Sequence, residues 1–149
     1  MKRFAMCAAL VCSLFASAYA ADVKLDGVKC IMNPKADAKA DKSVEYKGGK
    51  VYFCCDNCPK AFEKDKEKHA AKANHQLVAT AQAKQAKCPL SGGALNKDTE
   101  VTINGAKVQF CCNMCKGKVE KASDTEKLDL VFSDKAFEKA EFKVEKEKK

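Results

Sequence analysis

A nine-residue stretch occurs twice in this chain. Val51-Tyr52-Phe53-Cys54-Cys55-Asp56-Asn57-Cys58-Pro59 is answered by Val108-Gln109-Phe110-Cys111-Cys112-Asn113-Met114-Cys115-Lys116, at an offset of 57 (51 to 108). The correspondence holds from 43–65 against 100–122, and two isolated cysteines, Cys30 and Cys88, precede the copies at an offset of 58. Four cysteines arriving in the same order twice mark an internal duplication. What one half builds, the other must build too, and each half is too short for a sizeable core without a staple.

Each copy reads as a hairpin that runs into a helix. Ser43-Val44-Glu45-Tyr46-Lys47 alternates apolar with polar, Gly48-Gly49 supplies a turn, and Lys50-Val51-Tyr52-Phe53 returns to deliver Cys54. In the second copy Val101-Thr102-Ile103 and Lys107-Val108-Gln109-Phe110 flank Asn104-Gly105, a strong hairpin signal. Pro59 suits a first helical turn, and a charged helix anchored by Phe62 is expected over 59–73, with Asn74 and His75 interrupting it. Residues 76–84 fit either a helix or a strand. Ser123-Asp124-Thr125-Glu126 reads as an interruption followed by a new cap in the second half. Leu128, Leu130, Val131 and Phe132, then Ala136, Phe137 and Phe142, supply apolar residues for a core joining the halves. The expected fold is α+β: two small modules over 21–85 and 86–149, each a hairpin followed by a helix with a cysteine cluster between them. The second carries a C-terminal extension and a charged tail.

Lys2 and Arg3 precede an apolar run over 4–18, and Ala18-Tyr19-Ala20 has the small-x-small form of a cleavage site. Residues 1–20 therefore read as a secretory signal peptide, and the protein as periplasmic or secreted. No later apolar run is long enough to cross a bilayer. Of the ten cysteines, Cys7 and Cys12 lie in this leader, and export leaves the others where disulfides can form. The formal charge of +8 is carried by lysines interleaved with acids, as in Glu63-Lys64-Asp65-Lys66-Glu67-Lys68, the pattern of solvated helix faces. With no tryptophan and little arginine, the chain lacks the aromatic-basic alternation that stacks bases, so nucleic acid is not an expected partner. No phosphate loop and no serine, histidine and acid set stand out, which leaves little room for hydrolysis.

The chemistry therefore rests on thiols. Cys30, Cys54 and Cys58, with Cys88, Cys111 and Cys115 in the second copy, offer three ligands per module. Cys55 and Cys112 could add a fourth if the chain turns there, since on a straight strand neighbouring side chains face opposite ways. Four ligands suit closed tetrahedral zinc, whereas three thiolates suit Cu(I) or another soft ion. Cys58 stands at a helix N-terminus, where the dipole favours thiolate. Two other readings stay open: thiol-disulfide redox through the C-x-x-C pairs Cys55–Cys58 and Cys112–Cys115, and structural disulfides among the eight cysteines. His69, His75, Met32 and Met114 are weaker candidates, each without an equivalent in the other copy.

Val28-Lys29-Cys30, then Glu45-Tyr46-Lys47-Gly48-Gly49-Lys50-Val51-Tyr52-Phe53-Cys54-Cys55-Asp56-Asn57-Cys58-Pro59-Lys60-Ala61-Phe62, resembles the YHS and TRASH-like cysteine modules. Cys88-Pro89-Leu90-Ser91-Gly92 with Val108-Gln109-Phe110-Cys111-Cys112-Asn113-Met114-Cys115 resembles them again. The resemblance implies treble-clef-like units associated with heavy-metal sensing, trafficking and resistance, often attached to copper-handling proteins. It implies Cys30, Cys54, Cys58, Cys88, Cys111 and Cys115 as ligands for Zn2+ or Cu+. The family commonly has a further cysteine three residues after the first, where this chain has Asn33 and Ser91. The function expected is binding of a heavy metal, for buffering, delivery or structural support, with a metal-handling protein as a partner.

Overall fold

A computed structural model describes residues 23–145; the expected signal peptide lies outside them. Two antiparallel hairpins carry the repeat. β1 (Lys39–Tyr46) pairs with β2 (Gly49–Phe53), and in the second half β4 (Asn96–Ile103) pairs with β5 (Ala106–Phe110). Each first strand is bulged, so that its start, Lys39 or Asn96, still reaches the last residue of its partner, Phe53 or Phe110. The second turn is Asn104-Gly105, as expected, with both residues at positive φ. The first is not Gly48-Gly49 but Lys47-Gly48, also at positive φ, because Tyr46 pairs with Gly49. Two consecutive left-handed residues match the twist of the strands, and Lys47 accepts the strain where glycine would be easier.

After each cluster the chain enters two helices. α1 (Asn57–Lys64) is followed by α2 (Ala70–Ala79), and α3 (Asn113–Lys121) by α4 (Asp124–Phe132). The single helix expected over 59–73 is therefore broken. Asp65 ends α1 with φ −147 and ψ 66, and its carboxylate accepts the Lys68 N–H at 3.2 Å, a local bond that competes with helix continuation. Asn74 and His75 do not interrupt a helix; they stand inside α2. The Ser123 cap is present as a full capping box with Glu126, and 128–132 is helical. The undecided stretch is both things in turn: α2 closes at Ala79 and β3 (Ala83–Lys84) follows.

The halves share one core. α2 packs against α4, and β3 pairs antiparallel with β6 (Lys143–Val144), which the short α5 (Asp134–Lys139) precedes. Phe53, Phe62 and Leu77 from the first half and Phe110, Val119 and Phe132 from the second are all fully buried in the same cluster. Phe62 meets Phe53 and Tyr46 at ring distances of 5.5 and 5.6 Å. The join is also polar. The Asn74 amide donates to the Phe132 carbonyl (2.9 Å) and to Asp134 (2.8 Å), and Asp134 pairs with Lys47 at 2.6 Å. No helix among the described residues is long and apolar enough to cross a membrane.

Candidate metal centres

Each centre is assembled from two pieces of chain. A tight loop presents the first thiol. In the first half it runs from Val28 to Ala38, closed by the Cys30 N–H to the Ala36 carbonyl (3.0 Å) and the Ala38 N–H to the Val28 carbonyl (2.9 Å). In the second it is shorter: the Cys88 N–H reaches the Gly93 carbonyl (2.9 Å) and the Gly92 N–H reaches the Cys88 carbonyl (2.7 Å). Gly92 has φ +75, so this loop needs glycine for its turn, and Gly93 passes so near the cluster that a Cβ there would be in contact with the Cys111 Cβ at 3.4 Å. The second piece is the strand end. β2 and β5 stop at Phe53 and Phe110, the chain bends through the paired cysteines, and the helix starts. That bend turns Cys54 and Cys111 inward with Cys58 and Cys115 from the first helical turn.

The result is two thiol trios. The Sγ atoms of Cys30, Cys54 and Cys58 lie within 4.8 Å of one another, and those of Cys88, Cys111 and Cys115 do the same. Cys54 to Cys58 and Cys111 to Cys115 are both 3.7 Å. With a metal–sulfur bond of about 2.3 Å, sulfurs at tetrahedral corners stand about 3.8 Å apart, so these pairs already have the spacing of ligands. A disulfide needs about 2.0 Å, and the eight cysteines among the described residues are all free thiols. Cys55 and Cys112 do not belong to the mutually close sets. Both are exposed, Cys55 at 3.4 Å from Cys58 and Cys112 at 3.6 Å from Cys111.

The side chains that hold the two pieces together are glutamines, which sequence patterns did not single out. Gln76, on the buried face of α2, accepts the Tyr52 N–H (2.6 Å) and donates to the carbonyls of Tyr52 (3.0 Å) and Lys29 (3.1 Å). It thus ties the residue before Cys30 to the residue two before Cys54. Gln85 makes the same clamp in the second half, accepting the Gln109 N–H (2.7 Å) and donating to the carbonyls of Gln109 (2.9 Å) and Lys87 (3.2 Å). The two glutamines are not at equivalent sequence positions, yet their partners are. Gln82 repeats the two-point bond on Lys50, so the outer edge of β2 is covered by side-chain amides. The one available signal was polar residues on an otherwise apolar helical face, Asn74 and Gln76 among Ala70, Ala73 and Leu77.

Burial pushes the Cys30 thiol up, but the backbone N–H groups of Asn33, Cys54 and Met32 aimed at its sulfur outweigh that and leave it below its ordinary value. Cys88 is likewise raised by burial and lowered further by the Ser91 hydroxyl and by the N–H groups of Ser91, Cys111 and Leu90, ending at about 7. The helix N-terminus was expected to favour a Cys58 thiolate, and the reverse is found. Burial and the neighbouring thiols, with the charge of Cys30, push Cys58 up, and burial with Cys111 and Cys88 lifts Cys115 to about 12. In each trio the loop thiol is thus shifted toward thiolate and the helix thiol away from it, so a cation would have to displace the proton of Cys58 or Cys115. Exposed Cys55 and Cys112 are lowered, chiefly by the Cys58 side chain in one case and the Cys115 N–H in the other.

Ser91, three residues after Cys88, lies beside the second trio. Its hydroxyl is 3.1 Å from the Cys111 Sγ as well as bonded to Cys88. Asn33, its counterpart, turns its Oδ1 to the Lys35 N–H at 3.2 Å. The weaker candidates lie elsewhere. His75 Nε2 is 2.8 Å from the Ile103 carbonyl, and the ring packs edge-on to Phe132 at 5.0 Å, with burial lowering its pKa. His69 forms the N-cap of α2, Met32 packs against the core, and Met114 is 85 % exposed. No family model, curated protein or solved structure matches this chain.

Proposed function

We propose that this is an exported protein, periplasmic or secreted, that binds a soft or borderline heavy metal, Zn2+ or Cu+, at two duplicated cysteine centres and buffers it or delivers it to a metal-handling protein. The observation that carries this is the repetition of one thiol trio at ligand spacing, each with a loop thiol 1 % or less exposed. Cys30, Cys54 and Cys58 would hold one ion, and Cys88, Cys111 and Cys115 the other. A site built only for a disulfide needs two sulfurs, not three converging ones. The hairpin and helix on either side of each cluster fit a YHS or TRASH-like module, with the boundary between modules near residue 85.

Protein purified anaerobically and analysed for metal and thiols tests the reading. Two equivalents of metal that protect thiols from alkylation support it. A metal-free protein that cannot be reloaded and carries stable disulfides overturns it. The close approach of Cys55 to Cys58 at 3.4 Å also suits a thiol-disulfide redox role. Turnover with a disulfide substrate that is lost in both Cys58→Ser and Cys115→Ser, without retained metal, would establish that alternative.

A further inference from the structure

Exposure falls in steps across each cluster. Cys30 and Cys88 are buried, Cys54, Cys58, Cys111 and Cys115 are half-buried, and Cys55 and Cys112 are exposed. The exposed thiols stand outside the trios but within 3.4 and 3.6 Å of one member each, Cys58 and Cys111. A thiol at that distance needs only a small swing to replace its neighbour on a bound ion. Both copies keep such a thiol on the solvent side, although the neighbour it approaches differs.

We propose that Cys55 and Cys112 are exchange thiols, through which metal enters and leaves the trios. This rests on the metal-binding reading above and adds the route. In the first centre Cys55 loses its proton to water and forms a metal–sulfur bond; the bond to Cys58 breaks, and that thiolate takes up a proton. No electrons move. The ion is then held partly by an exposed sulfur, where a thiolate of an acceptor, small molecule or protein, replaces Cys55 in the same manner. In the second centre Cys112 displaces Cys111. A three-thiolate site with room at the metal favours such associative exchange, and a soft ion such as Cu+ suits it best. Met114, on the first turn of α3 between Cys112 and Cys115, is itself exposed, so this turn of the second centre faces solvent.

The test compares wild type with Cys55→Ser/Cys112→Ser, both loaded anaerobically with Cu+ and, separately, Zn2+. Three readouts are taken: metal content, affinity by competition, and the rate of transfer to a chromophoric chelator. In loaded wild type, iodoacetamide followed by mass mapping should label Cys55 and Cys112 while the six trio thiols stay protected. The double variant should keep both equivalents and its affinity, and transfer should slow by about tenfold or more. Protection of Cys55 and Cys112, or an affinity loss of about tenfold or more, the least that residues supporting a ligand set cause, would make them part of the resident site and overturn the proposal. An unchanged transfer rate overturns it as well. Failure of wild type to hold metal is a different outcome, which removes the metal-binding reading itself.

Discussion

Ser91→Cys should convert the second centre from three sulfur ligands to four. The hydroxyl it replaces already lies 3.1 Å from the Cys111 Sγ and bonds to Cys88, so a sulfur on the same Cβ starts beside the cluster, at the loss of the bond the hydroxyl accepts from the Gly93 N–H at 3.1 Å. A neutral hydroxyl is a poor zinc ligand at neutral pH, whereas a thiolate is a strong one. Apparent zinc affinities of four-ligand structural sites are about 10–16 kcal/mol, so one ligand accounts for about 3 kcal/mol, or roughly a hundredfold in Kd.

The first centre supplies an internal control. Asn33 holds the corresponding place and is exposed like Ser91, but its Oδ1 accepts the Lys35 N–H where the Ser91 hydroxyl meets a thiol. Asn33→Cys gives up that bond, and no side-chain contact of residue 33 with a thiol precedes it, so it should gain less. Competition titrations with zinc measure both changes, and cobalt substitution reads the number of thiolates from the sulfur-to-metal charge-transfer band. Ser91→Cys should tighten one of the two sites and strengthen the band; Asn33→Cys should do less of both. An unchanged second site, or equal gains from the two variants, would refute the expectation that a sulfur at position 91 becomes the fourth ligand.

The glutamine clamps predict unequal costs: Gln76→Leu removes three bonds at a position 2 % exposed, each group worth about 1–3 kcal/mol when buried unpaired, while Gln85 is half-buried and water can replace much of what it gives. Urea unfolding should rank Gln76→Leu as the more damaging, and metal titration should show each variant loosening its own centre first. Phe62→Ala opens a void beneath Tyr46 and Phe53 and should cost about 3–5 kcal/mol in the same assay, against a smaller loss for Val119→Ala at the equivalent position. The reduced, metal-free protein should be most stable near pH 9. Cys88 titrates at about 7 when folded and near 9.0 ordinarily, so stability rises as pH climbs through that window; Cys115 at about 12 keeps its proton above 9 when the unfolded thiol has lost it, so stability then falls. Thermal midpoints from pH 6 to 11 measure this, and Cys88→Ser should shrink the rise between 7 and 9 to what the lowered Cys30, Cys55 and Cys112 thiols supply.

The trios were legible from the sequence because duplication makes spacing informative: Cys30 and Cys88 recur where a redox pair alone would not need them. The break at Asp65 was not legible from periodicity. Phe62, Ala70, Ala73 and Leu77 keep a helical spacing straight through it, and the charge ladder over 63–68 favours a helix locally. What ends α1 is one side chain bonding its own backbone, against which a hydrophobic pattern is blind. The pKa order of the thiols was also hidden, since it depends on which sulfur the amides of the loop face. Exposure of Cys55 and Cys112 turned on the direction of one bend, which the pattern left open.

Two of these misses share a remedy within the chain. The second copy announces its turn as Asn104-Gly105, and the offset of 57 carries that onto Lys47-Gly48, where the turn is found. The same offset carries the end of α3 at Ala122 onto Asp65, the end of α1. Where one copy has kept a strong local signal and the other has lost it, the shared backbone follows the stronger one, because a common core admits only one architecture for both. The glutamines mark the limit of that rule. Gln76 and Gln85 fill one role from α2 and from the segment after β3, so what the two halves preserve is the bond to Tyr52 or Gln109 rather than the residue position that supplies it. Selection on the spacing between a loop thiol and a strand-end thiol explains such a pattern; selection on a helix surface does not. Exchanging the clamps therefore separates the two: a Gln76→Ala protein should lose its first centre even though Gln82 still covers the edge of β2, since Gln82 bonds Lys50 and not the carbonyl before Cys30. Retention of both metals at wild-type affinity in that variant would show that the loop holds its thiol in place unaided.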